Sequence, residues 1–303
     1  MAAGSHQESW PTEGRNERTL AIDAVDTLEI LGMLNREDLG VAVAVHRELP
    51  AIARAVELAV ACLSSGGRLF YVGAGTSGRL GVIDAAECGP TFGVGPETVQ
   101  AIMAGGQAAL TAAIEGIEDD ADRGATDVRK SGVGPADAVV GISASGHTPY
   151  TVGALREAKG LDARTIAICN NPDAPLAGMA EIGICPATGP EAIMGSTRLK
   201  AGTAQKMVLN MLSTATMIRL GKVYSNLMVD VRPANAKLLQ RAKSIVALAS
   251  GCSEEEAVRC LEGARSDVKV AVVMALTGLM APQASALLEQ SGGHVRAAAR
   301  MSR

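Results

Sequence analysis

The chain has 303 residues and a formal net charge of −4, with 48% hydrophobic, 20% charged and only 2% aromatic residues. This length suits one main domain with smaller additions, and the core must consist mainly of Ala, Val, Leu, Ile and Met. The weakly negative charge provides no long-range attraction for nucleic acid or for an anionic membrane surface.

Composition also indicates the cellular compartment and restricts the kinds of catalytic site. No apolar run approaches the roughly 18 residues of a membrane span, and the first ten residues lack the apolar centre of a signal peptide, so we expect a cytoplasmic protein. Six cysteines without a C-x-x-C pair predict neither a zinc site nor a disulfide framework. Four histidines without ligand spacing argue against a catalytic metal, and we expect no cofactor.

The first half of the chain predicts alternating helices and strands. Apolar residues at helical spacing predict a helix within 12–49, and a second helix is expected over 51–63. Strand patterns then alternate with helical ones: strands over 68–75, 98–106, 137–146, 163–171 and 181–186, helices over 107–124, 149–160 and about 198–220. This alternation predicts an α/β fold, with a parallel sheet covered by helices on both faces.

Beyond Asp230 the strand patterns stop. Ser253 and Glu256 form a capping-box pattern, and short helices are predicted near 253–264, 267–280 and 282–291. We therefore predict an amino-terminal helical segment over 1–50, an α/β domain over 51–232 and a small helical subdomain over 233–303.

The glycines at 73, 75 and 78 spell G-x-G-x-x-G after an apolar run, which is the spacing of a dinucleotide-binding turn. Such a turn needs an acidic residue at the end of the next strand to bind the ribose. Here that strand ends in Met103-Ala104-Gly105-Gly106, so the sequence disfavours a nucleotide site.

Three loops rich in Gly, Ser and Thr each precede a predicted helix. Any one could be an ordinary helix N-cap. The carboxyl ends of parallel strands converge on one crevice, however, and helix N-termini bind phosphate there. Together the loops predict a phosphorylated, hydroxyl-rich ligand, most simply a sugar phosphate, bound by Gly75, Thr76, Ser77, Gly78, Ser143, Ser145, Gly146, Thr148, Ser196 and Thr197.

Two carboxylates are candidates for acid–base chemistry. On a helix, Glu87 would share the apolar face of Leu80 and Ile83, where exclusion of water would favour its protonated form and suit a general acid. The alternative is that the helix ends before Gly89-Pro90 and that Glu87 is solvated. Helical spacing places Glu118 and Asp120 at the two edges of an apolar stripe, which is also compatible with a solvated acidic face.

Four stretches carry a resemblance to a known family: "GAGTSGRLGVIDAAEC" at 73–88, "SASGHTPY" at 143–150, "GSTRLKAGTAQKMVLNMLST" at 195–214 and "GKVYSNLMVDVRPANAKL" at 221–238. From "TEGRN" at 12–16 to the carboxyl-terminal helices, the chain resembles the N-acetylmuramic acid 6-phosphate etherases. These belong to the sugar-isomerase (SIS) fold group. The resemblance implies a three-layer, flavodoxin-like SIS sandwich and a tail similar to a ubiquitin-associated bundle.

The resemblance also implies a reaction. These etherases cleave the ether between the sugar and D-lactate by elimination followed by water addition, which gives N-acetylglucosamine 6-phosphate and D-lactate. Glu87 would protonate the departing lactyl oxygen, and Glu118, which only the resemblance favours over Asp120, would be the partner acid or base. His147 stands where the resemblance leads us to expect arginine.

The sequence also leaves a second function and an oligomeric state to consider. The leading alternative is a non-enzymatic phosphosugar-binding regulator similar to the glucokinase regulatory protein, although such proteins resemble two SIS halves. The helix over 207–220 is apolar on most sides, which predicts a homodimer with partner residues near the crevice. Lys200 and Lys206 are expected to be solvated.

Overall fold

The computed structural model describes residues 10–231 and 236–302, which form two compact units. The first comprises the described part of Met1–Ala85 together with Val99–Leu212. The second comprises Ala86–Thr98 and the described residues from Ser213 onwards. The predicted domain boundaries at 50 and 232 are not tested by this division and stay predictions.

The first unit is built on five parallel strands: β1 (Leu69–Gly73), β2 (Val99–Met103), β3 (Ala138–Ile142), β4 (Arg164–Ile168) and β5 (Ile182–Ile184). Their order is β2-β1-β3-β4-β5, the flavodoxin-like order in which a crevice opens at the carboxyl ends of β1 and β3. The sequence prediction of a parallel α/β sheet is confirmed.

Helices cover both faces of this sheet, which is why its strands are almost continuously apolar. The unit contains α1 (Thr27–Arg47), α2 (Leu49–Ser64), α4 (Ala121–Lys130), α5 (Pro149–Gly160) and α6 (Pro175–Met179). Phe70 and Val72 of β1 pack with Tyr150 of α5, whereas Tyr71 points to the opposite face, where its hydroxyl donates to Asp84. Asp84 lies on α3 (Gly75–Phe92). The three-layer arrangement is therefore confirmed.

The second unit is mainly helical. After α7 (Lys200–Arg219), which begins in the first unit, come a hairpin of β6 (Val223–Tyr224) with β7 (Leu227–Met228) and five helices. These are α8 (Ala236–Ser250), α9 (Glu254–Gly263), α10 (Val268–Thr277), α11 (Ala281–Gln290) and α12 (Val295–Met301). The three predicted helices are present as α9, α10 and α11, and Ser253 caps α9 as its pattern predicts. The resemblance to a ubiquitin-associated bundle is not tested.

The predicted helix over 107–124 is wrong. Residues 106–110 and 117–119 form short 3-10 turns, and α4 begins only at Ala121, where the Asp120 carboxylate accepts from the Arg123 amide. Gly116 has φ +75°, a left-handed conformation that interrupts a helix. The helix predicted within 12–49 is present as Thr27–Arg47.

Two further findings concern membranes and metals. In the described part of the chain, no single helix is long and apolar enough to cross a membrane, although α10 and α11, bent by 104°, have that length and composition together. Among residues 10–231 and 236–302, no group of three or more His, Cys, Asp or Glu side chains could hold a metal ion.

Candidate active site

The turn between β1 and α3 explains the glycine pattern. A Cβ at Gly78 would lie 2.5 Å from the Gly73 carbonyl oxygen, and one at Gly73 would lie 2.9 Å from the Gly78 nitrogen. Glycine at both positions therefore lets the helix begin directly after the strand, and Gly75 between them has φ +54°. The spacing of these glycines allows strand and helix backbones to pack closely. The first amides of the 18-residue helix α3 have no helical partners and therefore lie at the crevice.

Ser77 is buried, and its hydroxyl donates to Gln205 Oε1 at 2.9 Å. Because that hydrogen is already given to Gln205, the contribution of Ser77 to an anion is its backbone amide. Gln205 is in turn fixed by Asn170, to which its Nε2 donates at 3.2 Å. Thr76 is half-buried at the helix start and lines the crevice.

In the second loop, Ser143 and Gly146 shape the backbone. The Ser143 Oγ accepts from the Gly146 amide at 3.0 Å and lies 2.8 Å from Thr148 Oγ1. Gly146 has φ +71°, and a Cβ there would lie 2.4 Å from the Ala174 Cβ. Ala144, Ser145 and Thr148 are the members of this loop that line the crevice.

The third loop differs from the sequence expectation. Ser196 and Thr197 were expected at the start of the long helix, but α7 begins at Lys200. The amides of Lys200 and Ala201 each donate to the buried Glu191 carboxylate, both at 2.9 Å. Burial raises the pKa of Glu191, while the two amide bonds oppose that shift. The N-terminus of α7 is thus already occupied by a side chain of the protein.

These loops enclose a cavity of about 220 Å³ in the first unit. Seven of the predicted site residues line it: Gly75, Thr76, Ser77, Ser145, Thr148, Thr197 and Glu118. The predicted residues Gly78, Ser143, Gly146 and Ser196 are not part of this lining. Three residues that were not predicted from the sequence complete it: Glu13, Ala74 and Ala144.

Glu118 is exposed and lies on the short turn Ile117–Asp119 rather than on a helix. The loop before it is held by Arg79 of α3, whose guanidinium donates to the carbonyl oxygens of Ala109, Leu110 and Ala112 at 2.8–3.1 Å. A single guanidinium of α3 thus holds the loop that carries Glu118.

Glu87 belongs to the second unit, near the carboxyl end of α3. The helix continues through Pro90 to Phe92, so it does not end before Glu87. The Glu87 side chain is nevertheless exposed, and Ile83 on the same face is 56% exposed. The expectation that Glu87 shares a buried apolar face is therefore not met within the chain.

Glu13 reaches the cavity because residues 10–19 are bound to the loops around it. The Asn171 amide nitrogen donates both to Thr12 Oγ1 and to the Ser145 carbonyl oxygen, each at 3.0 Å. The Trp10 ring stacks on His147 with centroids 3.8 Å apart. His147, which stands where arginine was expected, thus packs against the amino-terminal segment. The "TEGRN" motif was the sequence signal for this segment, but its position required the folded chain.

Lys200 is 3% exposed, so the expectation that it is solvated is wrong. Its ammonium donates to the buried Glu37 carboxylate at 2.7 Å, and Glu37 also accepts from Arg18 and Asn16. The hydrogen bond from Arg18 is the main reason why the pKa of Glu37 falls to about 2. Lys206 is exposed as expected.

Comparison with known proteins identifies the fold and the family. Residues 51–159 match the family described as the glucokinase regulatory protein N-terminal SIS domain, and residues 122–215 match the SIS domain. A solved Bacteroides fragilis structure, described as a proposed phosphosugar isomerase involved in capsule formation, superposes with a TM-score of 0.51 at 22% identity. It covers 66% of this chain and 95% of that one, and this likeness shows the fold alone.

Curated relatives are similar over nearly the whole chain. N-acetylmuramic acid 6-phosphate etherase of Symbiobacterium thermophilum is 57% identical over 268 residues, 88% of this chain and 89% of the relative. N-acetylmuramic acid 6-phosphate etherase 2 of Vibrio cholerae is 53% identical over 298 residues, 98% of this chain and 96% of the relative. With this identity over this length, and with a SIS sheet that presents its loops to one cavity, the chain belongs to the N-acetylmuramic acid 6-phosphate etherase family.

Proposed function

We propose that this protein is a carbon–oxygen lyase that converts N-acetylmuramic acid 6-phosphate to N-acetylglucosamine 6-phosphate and D-lactate. The observation that carries the proposal is the identity of 51–57% with etherases over 88–98% of the chain. The cavity of the first unit supports it, because donors for a phosphate and a carboxylate line the same space.

The phosphate is assigned to the beginning of α3. Helix N-termini carry partial positive charge and amides without helical partners, so they bind phosphate without a fixed cation. The amides of Gly75, Thr76 and Ser77 fulfil this role, with the hydroxyls of Thr76, Ser145, Thr148 and Thr197 around them. The α7 terminus is not assigned to phosphate, because Glu191 already accepts from its amides.

The reaction follows from the substrate. In the ring-opened sugar, carbon 3 is β to the aldehyde, so removal of the carbon-2 proton lets lactate leave by elimination. Water then adds at carbon 3, and the sequence requires one base and one acid. Glu118, in the cavity, is assigned the carbon-2 proton or the incoming water, and Glu87 is assigned by family resemblance the proton given to the lactyl oxygen.

The test is release of lactate from N-acetylmuramic acid 6-phosphate. Glu118→Gln is expected to lower kcat by about 10²- to 10⁴-fold, the usual contribution of an acid–base group, and Glu87→Gln is expected to do the same. Glu115→Gln is the matched control, because Glu115 is also exposed and lies in the same loop outside the cavity lining. In D₂O the product should carry deuterium at carbon 2.

A different outcome would change the assignment. Binding of the sugar phosphate without turnover by the wild-type protein would favour the regulator suggested by the match of residues 51–159 to the glucokinase regulatory protein domain. Turnover without deuterium at carbon 2 would contradict the elimination route.

We also propose that the protein is a homodimer and that it lies in the cytoplasm. The apolar surface of α7 is largely used within the chain, since Val208, Leu209 and Leu212 are buried. Helix α1 instead exposes Leu28, Leu31, Leu39 and Val43, which are 53–79% exposed. Light scattering is expected to give twice the chain mass, and Leu39→Glu to reduce it towards one chain. A wild-type mass of one chain would refute the dimer.

A further inference from the structure

Two thiols lie side by side at the crevice end of the sheet. Cys169 follows β4 and Cys185 follows β5, and these parallel strands pair Ile168 with Ile184 immediately before them. The two sulfur atoms are 3.4 Å apart, and the Cys169 amide donates to the Ile184 carbonyl oxygen at 3.1 Å. The strand register itself therefore holds the two thiols together.

This geometry is close to that of a disulfide. Neighbouring parallel strands lie about 4.8 Å apart, which is within the Cα–Cα range of about 4.4–6.8 Å that a disulfide tolerates. Bond formation requires the sulfur atoms to approach by about 1.4 Å, to about 2.05 Å. Cys169 is fully buried, whereas Cys185 is half-buried, so Cys185 is the more accessible residue of the pair for a small oxidant.

We propose that Cys169 and Cys185 are a redox modification site that forms a reversible disulfide with hydrogen peroxide. The Cys185 thiolate attacks one peroxide oxygen, the O–O bond breaks, and the leaving hydroxide takes up a proton as water. The Cys169 sulfur then attacks the sulfenic sulfur of Cys185, and hydroxide leaves with the Cys169 proton as a second water. Two thiols and one peroxide thus give one disulfide and two waters.

The electrostatics support this order of events. The Cys169 thiol has one hydrogen, which points to the Asn171 carbonyl oxygen while both thiols are protonated. When Cys185 ionises, that hydrogen turns to the Cys185 sulfur 3.4 Å away and lowers the pKa of Cys185, against burial and the negative charges of Glu48 and Asp173. The more accessible cysteine is therefore also the better thiolate, as a first target of peroxide should be. This chemistry does not depend on the proposed etherase function.

The segment after Cys169 connects the pair to the amino-terminal segment. Cys169 Sγ donates to the Asn171 carbonyl oxygen, and the Asn171 side chain binds Thr12. Trp10, two residues from Thr12, stacks on His147 and is the single tryptophan of the chain. When Cys169 moves towards Cys185, the hydrogen bond from its thiol to the Asn171 carbonyl oxygen is lost. Because the Asn171 side chain binds Thr12 beside Trp10, we expect Trp10 fluorescence to change on oxidation.

The experiment treats the folded protein with hydrogen peroxide, blocks remaining thiols and digests it. Both cysteines lie in one tryptic fragment, 165–198, and cleavage after Glu181 separates them. We expect the two halves to remain linked, with a mass about 2 Da below the sum of the two thiol fragments, and to separate on reduction. Trp10 emission should change on oxidation and recover with the reductant.

Cys185→Ser should give neither the link nor the emission change, whereas Cys260→Ser, a half-buried cysteine of α9, should preserve both. Wild-type protein oxidised in denaturant provides a second comparison, because the preference for this pair should disappear there. Oxidation of Cys185 to sulfinic acid without a link would overturn the proposal. A link that leaves Trp10 emission unchanged would overturn the connection to the amino-terminal segment.

Discussion

Two carboxylates share the cavity, and they reach it by different routes. Glu118 is placed by a loop that Arg79 holds, whereas Glu13 is placed by the binding of its neighbours Thr12 and Trp10 to the second loop and the residues behind it. A second anion beside the proposed phosphate site is electrostatically unfavourable unless it accepts hydrogen bonds. The hydroxyl and amide groups of an amino sugar can donate such bonds, so we assign Glu13 to sugar binding rather than to proton transfer.

Glu13→Gln should therefore raise KM more than it lowers kcat. Loss of a hydrogen bond to a charged group costs about 1.5–3 kcal/mol, which corresponds to roughly a 10- to 100-fold loss in kcat/KM. Glu17→Gln is the control, because Glu17 is exposed on the same segment outside the cavity lining. A fall in kcat with unchanged KM would instead identify Glu13 as an acid or base.

Among the elements, α4 and α5 pack unusually closely because glycines face each other's backbones. A Cβ at Gly153 of α5 would lie 2.1 Å from the Ala121 carbonyl oxygen, and one at Gly124 of α4 would lie 2.0 Å from the Tyr150 carbonyl oxygen. These contacts fix both helices at one face of the sheet, with α5 beginning directly after the loop that carries Ser145 and Thr148.

Gly153→Ala should consequently destabilise the protein by about 2 kcal/mol or more, since backbone atoms cannot move aside as a flexible side chain can. Gly160→Ala in the same helix is the matched control: a Cβ there meets nothing within 4 Å. This change should leave stability equal or raise it by up to about 1 kcal/mol. Thermal unfolding of both variants measures the difference, and equal destabilisation would refute the close helix contact.

For the molecule as a whole, a buried ionic cluster connects parts of the chain that are distant in sequence. Glu37 of α1 accepts from Lys200 of α7 and from Arg18 and Asn16 of the amino-terminal segment. Removing one partner of a buried ion pair leaves an uncompensated charge, at a cost of about 3–5 kcal/mol. The cluster therefore makes the position of the amino-terminal segment dependent on ionised Glu37.

The pH dependence of stability follows from the lowered pKa of Glu37. Its value falls from 4.5 to about 2 on folding, so the stabilisation is fully present above about pH 4.5 and is lost as the pH falls through about 2. Glu37→Gln should lower the free energy of unfolding by about 3 kcal/mol at pH 7, and the difference from wild type should shrink between pH 4.5 and 2. Denaturant unfolding at several pH values measures this.

The exposed pair of Arg36 and Glu29 provides the comparison, because Glu29→Gln should change stability by no more than about 1 kcal/mol at any pH. A Glu37→Gln effect that is equally large at pH 2.5 and pH 7 would contradict the assigned ionisation.

The sequence by itself determined the alternation of strands and helices and the place of the glycine- and hydroxyl-rich turns that line the cavity. These depend on local features: apolar runs about five residues long, glycines at 73 and 78, and hydroxyl residues in the loops after β1 and β3. It also argued against a nucleotide site, since Met103 to Gly106 contain no acid. The same local reasoning predicted a helix over 107–124, which is absent. Periodicity does not reveal that Gly116 takes a left-handed conformation or that the Arg79 guanidinium binds the carbonyl oxygens of this loop.

Only the tertiary structure decided which groups occupy the cavity. Three hydrogen bonds join residues that are distant in sequence. Glu191 accepts from the Lys200 amide nine residues away, and the buried Lys200 ammonium donates to Glu37, 163 residues away. The Asn171 side chain donates to Thr12, 159 residues away. Such pairs depend on side chains that meet after the sheet and helices have assembled, so no spacing in the sequence predicts them. The position of Glu13 in the cavity has the same origin. It depends on the hydrogen bond between Asn171 and the neighbouring Thr12, which local propensity does not predict.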